Sequence, residues 1–263
     1  MNKYLEMSQK IESEVIEIRR YLHAHPEIGF DLPITTNFVL EKLAEFGIEG
    51  KIIADSSITA CIGKKHGKTI LLRADMDALP VKENLDLEFK SKFDGRMHAC
   101  GHDMHTAMLL GAAKILKENE DMLEGQVKFM FQPNEEGFGG ALKMIDANIL
   151  KSPKVDFAMA LHVFPGQNNF PVGLASVQGG PLLAGSQNFR IDISGKGGHG
   201  GMPQISVDPI AAANHIYSQI QTVKAREISA TDPLVLSICQ FSFGDTHNII
   251  PNEGVMQGTM RFF

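Results

Sequence analysis

Short apolar runs alternating with helical periodicity limit the folds open to this chain more than any other feature. Lys68 to Arg73 reads as a strand, and its stretch Ile70-Leu71-Leu72 implies burial on both faces. Gln126 to Phe131 and Asp156 to Leu161 repeat the pattern. His102 to Lys117, ahead of them, carries Met108, Leu109, Ala112, Ala113 and Leu116 at helical spacing. Ile11, Val15, Ile18 and Leu22 predict an earlier helix that precedes His23. Another is expected from Thr35 or Thr36 to a cap at Gly47, and a short one from Ala141 to Ile145. Strands alternating with helices predict an α/β domain, a mostly parallel mixed sheet with flanking helices. In such sheets reactive groups collect where strands end. Here those ends carry Asp75, Glu135, Glu136 and His162.

The pattern changes after Gly179-Gly180-Pro181. Phe189, Ile191 and Ile193 alternate with Asn188, Arg190 and Asp192, as in a strand with one wet face. A glycine-rich loop, Gly195 to Gly201, leads to a helix from Asp208 to about Val223, then to strands Leu234–Phe243 and Gly254–Phe263. The order β-α-β-β predicts most of a smaller α+β, ferredoxin-like domain. A complete split βαββαβ unit needs one more helix and strand. The expectation is therefore a C-terminally truncated chain, with a first domain over 1–184 and an incomplete second one over 185–263.

At 263 residues and 43% hydrophobic composition, such a chain buries roughly three quarters of its unfolded surface. The formal charge is −6 with both signs interspersed, which leaves no basic face for a nucleic acid. No apolar run is long enough to span a bilayer, and Met1 to Lys10 lacks the apolar core of a signal peptide. Three cysteines, Cys61, Cys100 and Cys239, suit a reducing, cytoplasmic setting better than a disulfide framework. Cys61 and Cys239 read as packed strand residues.

The densest chemistry lies in His98-Ala-Cys-Gly-His-Asp-Met-His105. Thiolate and neutral imidazole are ligands for zinc and similar ions. A buried free cysteine beside a hydrogen-bonded histidine would account for Cys100 and His102 alone. The adjacent carboxylates of Glu135 and Glu136 and the imidazole of His162, all predicted at one sheet edge, favour a metal centre. One carboxylate can ligate an ion while its neighbour, kept off it, moves a proton. Two rival enzyme classes remain at this point. A cysteine hydrolase would use Cys100 with a histidine, and a deaminase shares only residue types with Cys100-Gly-His102. A non-catalytic alternative is an inactive truncated chain that binds only metal or a partner.

Seven segments carry a family resemblance. They are Arg19-Arg-Tyr-Leu-His-Ala-His-Pro-Glu-Ile-Gly29, Leu72-Arg-Ala-Asp-Met-Asp-Ala-Leu-Pro80, Met97-His-Ala-Cys-Gly-His-Asp103, Phe131-Gln-Pro-Asn-Glu-Glu-Gly137, Leu161-His-Val-Phe-Pro165, Gly195-Lys-Gly-Gly-His-Gly200 and His247-Asn-Ile-Ile-Pro251. In order and spacing the chain resembles the M20 family of metallopeptidases and amidohydrolases, in the branch of hippurate hydrolases, N-acyl-amino-acid amidohydrolases and auxin-conjugate hydrolases. The resemblance implies a zinc-peptidase-like catalytic domain interrupted by a lid, and two divalent ions per full-length subunit, zinc or manganese, with cobalt or nickel as further options. It implies Cys100, His102, Glu136 and His162 as metal ligands and Glu135 as general acid/base. It implies His199 as the group that polarises the substrate carbonyl and Asn248 as a substrate contact. It also implies one further histidine ligand that has no counterpart in this sequence. Arg73 stands where the wider family has a ligand histidine, and Gln204 where many relatives have histidine. Asp75 and Asp77, with His23, His25, His98 and His105, are then supporting residues. The implied reaction is hydrolysis of an N-acyl amino acid, hippurate-like or N-acetylated, to a carboxylic acid and a free amino acid. The implied assembly is a homodimer or homotetramer formed through the lid.

Overall fold

A computed structural model describes residues 3–164, 171–177, 179–180 and 182–263. Pro165 and Pro181, which belong to two of the segments singled out above, lie outside the described residues. The chain divides into two compact units, Met1–Phe170 and Pro171–Phe263.

In the first unit, helices α1 (Lys3–Lys10), α2 (Glu12–Ala24) and α3 (Pro33–Glu45) precede strands β1 (Lys51–Ala54), β2 (Ser57–Gly63) and β3 (Thr69–Asp75). Helix α4 (His102–Glu118), strand β4 (Gln126–Gln132), helix α5 (Gly140–Asp146) and strand β5 (Phe157–Ala160) follow. The sheet runs β1-β2-β4-β3-β5. β3 is parallel to both β4 and β5, while β1, β2 and β4 pair antiparallel. The fold is thus α/β with a mixed sheet. Its antiparallel side comes from the β1–β2 hairpin, which the periodicity did not reveal.

Alternation along β4 explains how the sheet is covered. Val127, Phe129 and Phe131 point into a core shared with Leu22, Leu43 and Leu110 of α2, α3 and α4. Met130 points the other way, to Leu71, Met144 and Ile149. Ile70 and Leu72 pack with the first cluster and Leu71 with the second, so the apolar run in β3 is covered on both faces. Each fully buried side chain of this size contributes about 1.5–3 kcal/mol by leaving water. His23 lies inside α2 rather than after it. Glu27 starts α3 from outside the helix, since its carboxylate accepts the N–H groups of Ile34 (3.1 Å) and Thr35 (2.8 Å). Its carbonyl accepts the N–H of Ala78 at 2.7 Å, which ties the His-Pro-Glu segment to the chain leaving β3.

The second unit holds β6 (Gly185–Ser194), β7 (Gly198–His199), α6 (Pro209–Arg226), β8 (Leu234–Phe243), β9 (Ile249–Ile250) and β10 (Glu253–Phe262). Its antiparallel sheet runs β6-β10-β8, with β7 and β9 as a separate pair. Asp208 caps α6 by accepting from Ile210 and Ala211, with Pro209 in the first turn. The helix packs Ala213 and Ile216 against Ile193 and Met256. Cys61 and Cys239 lie in strands β2 and β8 but are exposed, not packed.

Candidate metal centre

Three parallel strands deliver the site. Asp75 pairs with Gln132 and Arg73 with Ala160 in register, so the C-terminal ends of β3, β4 and β5 share one edge. Asp77 follows β3, Glu135 and Glu136 follow β4, and His162 follows β5. Helix α4 begins at the same edge with His102 as its first residue. Gly101 makes that start possible. Its φ is +86°, and a Cβ there would come within 2.5 Å of Val163 Cγ2, beside His162.

Cys100, His102 and His162 offer ligand atoms that all lie within 4.8 Å of one another, as do His102, Glu135 and Glu136. Cys100 Sγ is 3.4 Å from His162 Nε2. His102 Nε2 and Glu136 Oε1 are 3.9 Å apart, and both are buried with no hydrogen-bond partner among the described residues. Two buried acceptor atoms aimed at each other without a donor carry a large desolvation cost. A cation between them removes it, so the residues fit a metal ion.

The ring nitrogens settle which histidines are open to ligation. His102 Nδ1 donates to the Asp77 carbonyl at 2.8 Å, and His162 Nδ1 donates to the Val163 carbonyl at 2.7 Å. A carbonyl only accepts, so in each neutral ring the proton is on Nδ1 and the Nε2 lone pair faces the site. Asp75, His102 and His105 form a third compact group. His105, however, has both nitrogens engaged: Nδ1 donates to Asp75 at 2.6 Å, and Nε2 accepts the Val163 N–H at 3.0 Å. It holds the His162 segment against β3 and has no lone pair left for an ion.

The charge balance points the same way. Burial first, then Asp75 and Glu136, raises the Glu135 carboxyl above its ordinary range. Cys100 is pushed up to about 12, by burial first and then by Glu136, Glu135 and Asp75. Burial alone would lower His102, but the carboxylates of Asp77 and Asp75 outweigh it and the net direction is up. All three shifts favour bound positive charge. Asp75 is the exception. Burial would raise it, yet the His105 hydrogen bond and Arg73, 2.8 Å away, bring it down to about 2. A cysteine nucleophile needs a stabilised thiolate. The Cys100–His162 pair has the spacing of such a dyad, but its surroundings oppose ionisation of the thiol.

The sequence reading placed Asp77 among the supporting residues without naming what it supports. Both oxygens of its buried carboxylate accept main-chain N–H groups, from Glu135 at 2.9 Å and Glu136 at 3.1 Å. Its only signal was an acid just past a strand end. Arg73 donates through Nε to Gln132 Oε1 at 3.0 Å, which joins β3 to β4 beneath the site.

The structure brings His199 and Asn248 together in the second unit. His199 pairs with Ile249, and Gly200 N–H donates to the Asn248 carbonyl at 2.9 Å. His199 Nδ1 accepts the Gly201 N–H at 2.9 Å, which places the neutral ring's proton on Nε2. Gly198 lies close to Ser206, and a Cβ there would come within 2.2 Å of Ser206 Oγ, so the serine side chain would have to turn away.

The sequence profile of peptidase family M20/M25/M40 matches residues 71–258. The chain is 42% identical over 258 residues to thermostable carboxypeptidase 1 of Saccharolobus solfataricus, covering 96% of this chain and 64% of that protein. It is 42% identical over 257 residues to the N-acyl-L-amino acid amidohydrolase of Geobacillus stearothermophilus, covering 97% and 68%. Among solved structures it resembles the YXEP protein of Bacillus subtilis, described as a dinuclear metal binding peptidase from the M20 family. The TM-score is 0.79 at 37% identity, covering 96% of this chain and 65% of that one. The chain therefore spans about two thirds of the length of these relatives.

Proposed function

Since the chain belongs to peptidase family M20/M25/M40, we propose that it is the metal-binding portion of an amidohydrolase that cleaves N-acyl amino acids to a carboxylic acid and a free amino acid. The observation that carries this reading is the buried, partnerless pair His102 Nε2 and Glu136 Oε1, with Cys100 and His162 beside them. These four residues would hold divalent cations, zinc or manganese. Cysteine sulfur and imidazole nitrogen favour zinc. When bound, the ions supply Lewis acidity toward the amide carbonyl and the attacking water.

The protein's own groups divide the remaining work. Glu135 is the proton carrier. Its main chain is tied to Asp77, which leaves the carboxylate free, and its surroundings raise its proton affinity toward the working range of a general base. It takes a proton from the attacking water and returns it to the leaving amine. His199 offers its Nε2–H to the carbonyl oxygen as negative charge develops there. Asn248, on the neighbouring segment, is a contact for the substrate. In this reading the second unit acts as the lid, carries the contacts between subunits of a homodimer or homotetramer, and the protein works in the cytoplasm with its cysteines reduced. Among the described residues, no helix is long and apolar enough to cross a membrane.

Replacing Glu135 by glutamine removes the proton carrier and leaves the ligands. Hydrolysis of an N-acetyl or N-benzoyl amino acid should fall about 10²–10⁴-fold, with metal content by elemental analysis equal to wild type. A wild-type rate in the variant would overturn the role given to Glu135. Activity that survives exhaustive chelation would overturn the metal reading as a whole.

A further inference from the structure

We infer that Phe138 is a specificity-determining residue that receives a large apolar, above all aromatic, acyl group of the substrate; this rests on the amide-hydrolysis reading above and names the substrate class within it. Glu135 to Phe138 form one turn, in which the Phe138 N–H donates to the Glu135 carbonyl at 3.2 Å. Such a turn keeps its two end Cα atoms within about 7 Å of each other. Phe138 therefore stands one turn away from the proposed proton carrier and just after the proposed ligand Glu136.

The ring is held there against steric strain. The φ of Phe138 is +62°, where the Cβ of a bulky residue crowds its own backbone and glycine is free. Its neighbours fix the conformation. Asn134, itself at φ of +52°, donates through Nδ2 to the Phe138 carbonyl at 2.8 Å. Gly140 lies so close to Pro133 that a Cβ on it would overlap the Pro133 carbonyl oxygen. The fold gains no packing from the ring in return. Phe138 is 61% exposed and, among the described residues, joins none of the apolar clusters. Leu142, a little further along in α5, is 60% exposed and also joins none. Backbone strain that packing does not offset gathers at ligand clamps. An exposed aromatic ring beside a reactive centre contributes its burial energy only when a ligand covers it.

The chemistry of the substrate selects which part covers the ring. Both the acyl chain and the leaving amino acid are attached directly to the carbonyl carbon under attack. The amino acid carries a carboxylate, which seeks cations or hydrogen-bond donors. Residues 137–142, Gly-Phe-Gly-Gly-Ala-Leu, carry no charge. An apolar acyl chain leaves water against such a surface instead. The single methyl of an acetyl group covers little of the Phe138 ring, whereas a benzoyl ring stacks on it.

The test compares hydrolysis of N-benzoylglycine and N-acetylglycine by the zinc-loaded protein in wild type, Phe138→Gly and Phe138→Tyr. We expect wild type to favour the benzoyl substrate. The benzoyl-to-acetyl ratio of kcat/KM should fall about 10-fold in Phe138→Gly, with a higher KM for N-benzoylglycine, and stay within about threefold of wild type in Phe138→Tyr, which keeps the ring. The thermal midpoint of Phe138→Gly should be no lower than that of wild type, because relief of strain outweighs the chain entropy that glycine loses. An unchanged ratio in Phe138→Gly, or an equal loss in Phe138→Tyr, overturns the inference. A lower midpoint with an unchanged ratio assigns the ring to packing and overturns it too. If Phe138→Gly does not fold, Phe138→Ala goes through the same comparison of ratios. A wild-type protein that hydrolyses neither compound sinks the amide-hydrolysis reading instead. Calorimetric titration with the same two compounds then decides the role of Phe138: tighter binding of N-benzoylglycine that is lost in Phe138→Gly supports it, and equal or absent binding overturns it.

Discussion

Gly101 separates Cys100 from His102 in a left-handed conformation, with no room for a methyl group against Val163. Gly101→Ala must strain the backbone or displace Val163, whose N–H and carbonyl hold His105 and His162. The expected cost is about 1–3 kcal/mol, read as a lower urea midpoint, together with weaker cobalt binding; an unchanged midpoint would contradict the packing described here. The residue types of the centre were legible because thiol, imidazole and paired carboxylates have few other reasons to gather at strand ends. The histidine tautomers were not legible. They depend on main-chain carbonyls of Asp77 and Val163, and a carbonyl has no letter in a sequence. For the same reason the sequence could not separate His105, whose two nitrogens are both committed, from the histidines that remain open.

Elements α2 and α4 and the loop between β3 and α4 meet in a buried polar knot around His23. Its Nδ1 is 2.8 Å from Asp103 and its Nε2 3.1 Å from Glu83. Arg19 of the same helix lies 2.8 Å from Asp103, and the His98 ring stands 6.4 Å away, kept neutral by burial that lowers it to about 4. Burial would depress His23, but hydrogen bonds to Asp103 and Glu83 outweigh it, and its pKa is raised above the ordinary 6.5. A raised folded value means that the protonated ring stabilises the fold fully below 6.5 and that this contribution is lost as pH climbs through the folded value. Unfolding free energy should therefore decline across the neutral range in wild type and stay flatter in His23→Gln; parallel pH profiles would count against the knot. Strands β3, β4 and β5 were readable from apolar runs, and β6 and β10 from alternation. The β1–β2 hairpin was not. Its turn passes through Asp55 at φ of +43° with neither glycine nor an Asn-Gly pair to announce it.

At the scale of the molecule, every proposed ligand lies in the first unit, while His199 and Asn248 lie in the second. Metal should therefore stabilise the two units unequally. At a free zinc concentration 100 times its Kd, the first unit should gain about 2.7 kcal/mol. By hydrogen exchange, protection should rise in the segments around Asp77, His102, Glu136 and His162, and chelation should reverse it. An equal rise along β6, β8 and β10 would show that the ion is held elsewhere. The hydrophobic pattern differs between the two units, from runs covered on both faces in the first to alternation along β6 in the second. The pairing that unites the site joins segments far apart in sequence: Leu72 lies beside Phe129 on one side and Met159 on the other. Parallel strands so separated must close long loops before any pairing rewards them, whereas helices such as α4 form from neighbours. A refolding chain thus has its helices before it has its centre, and the arrival of a bound ion marks the completion of the sheet.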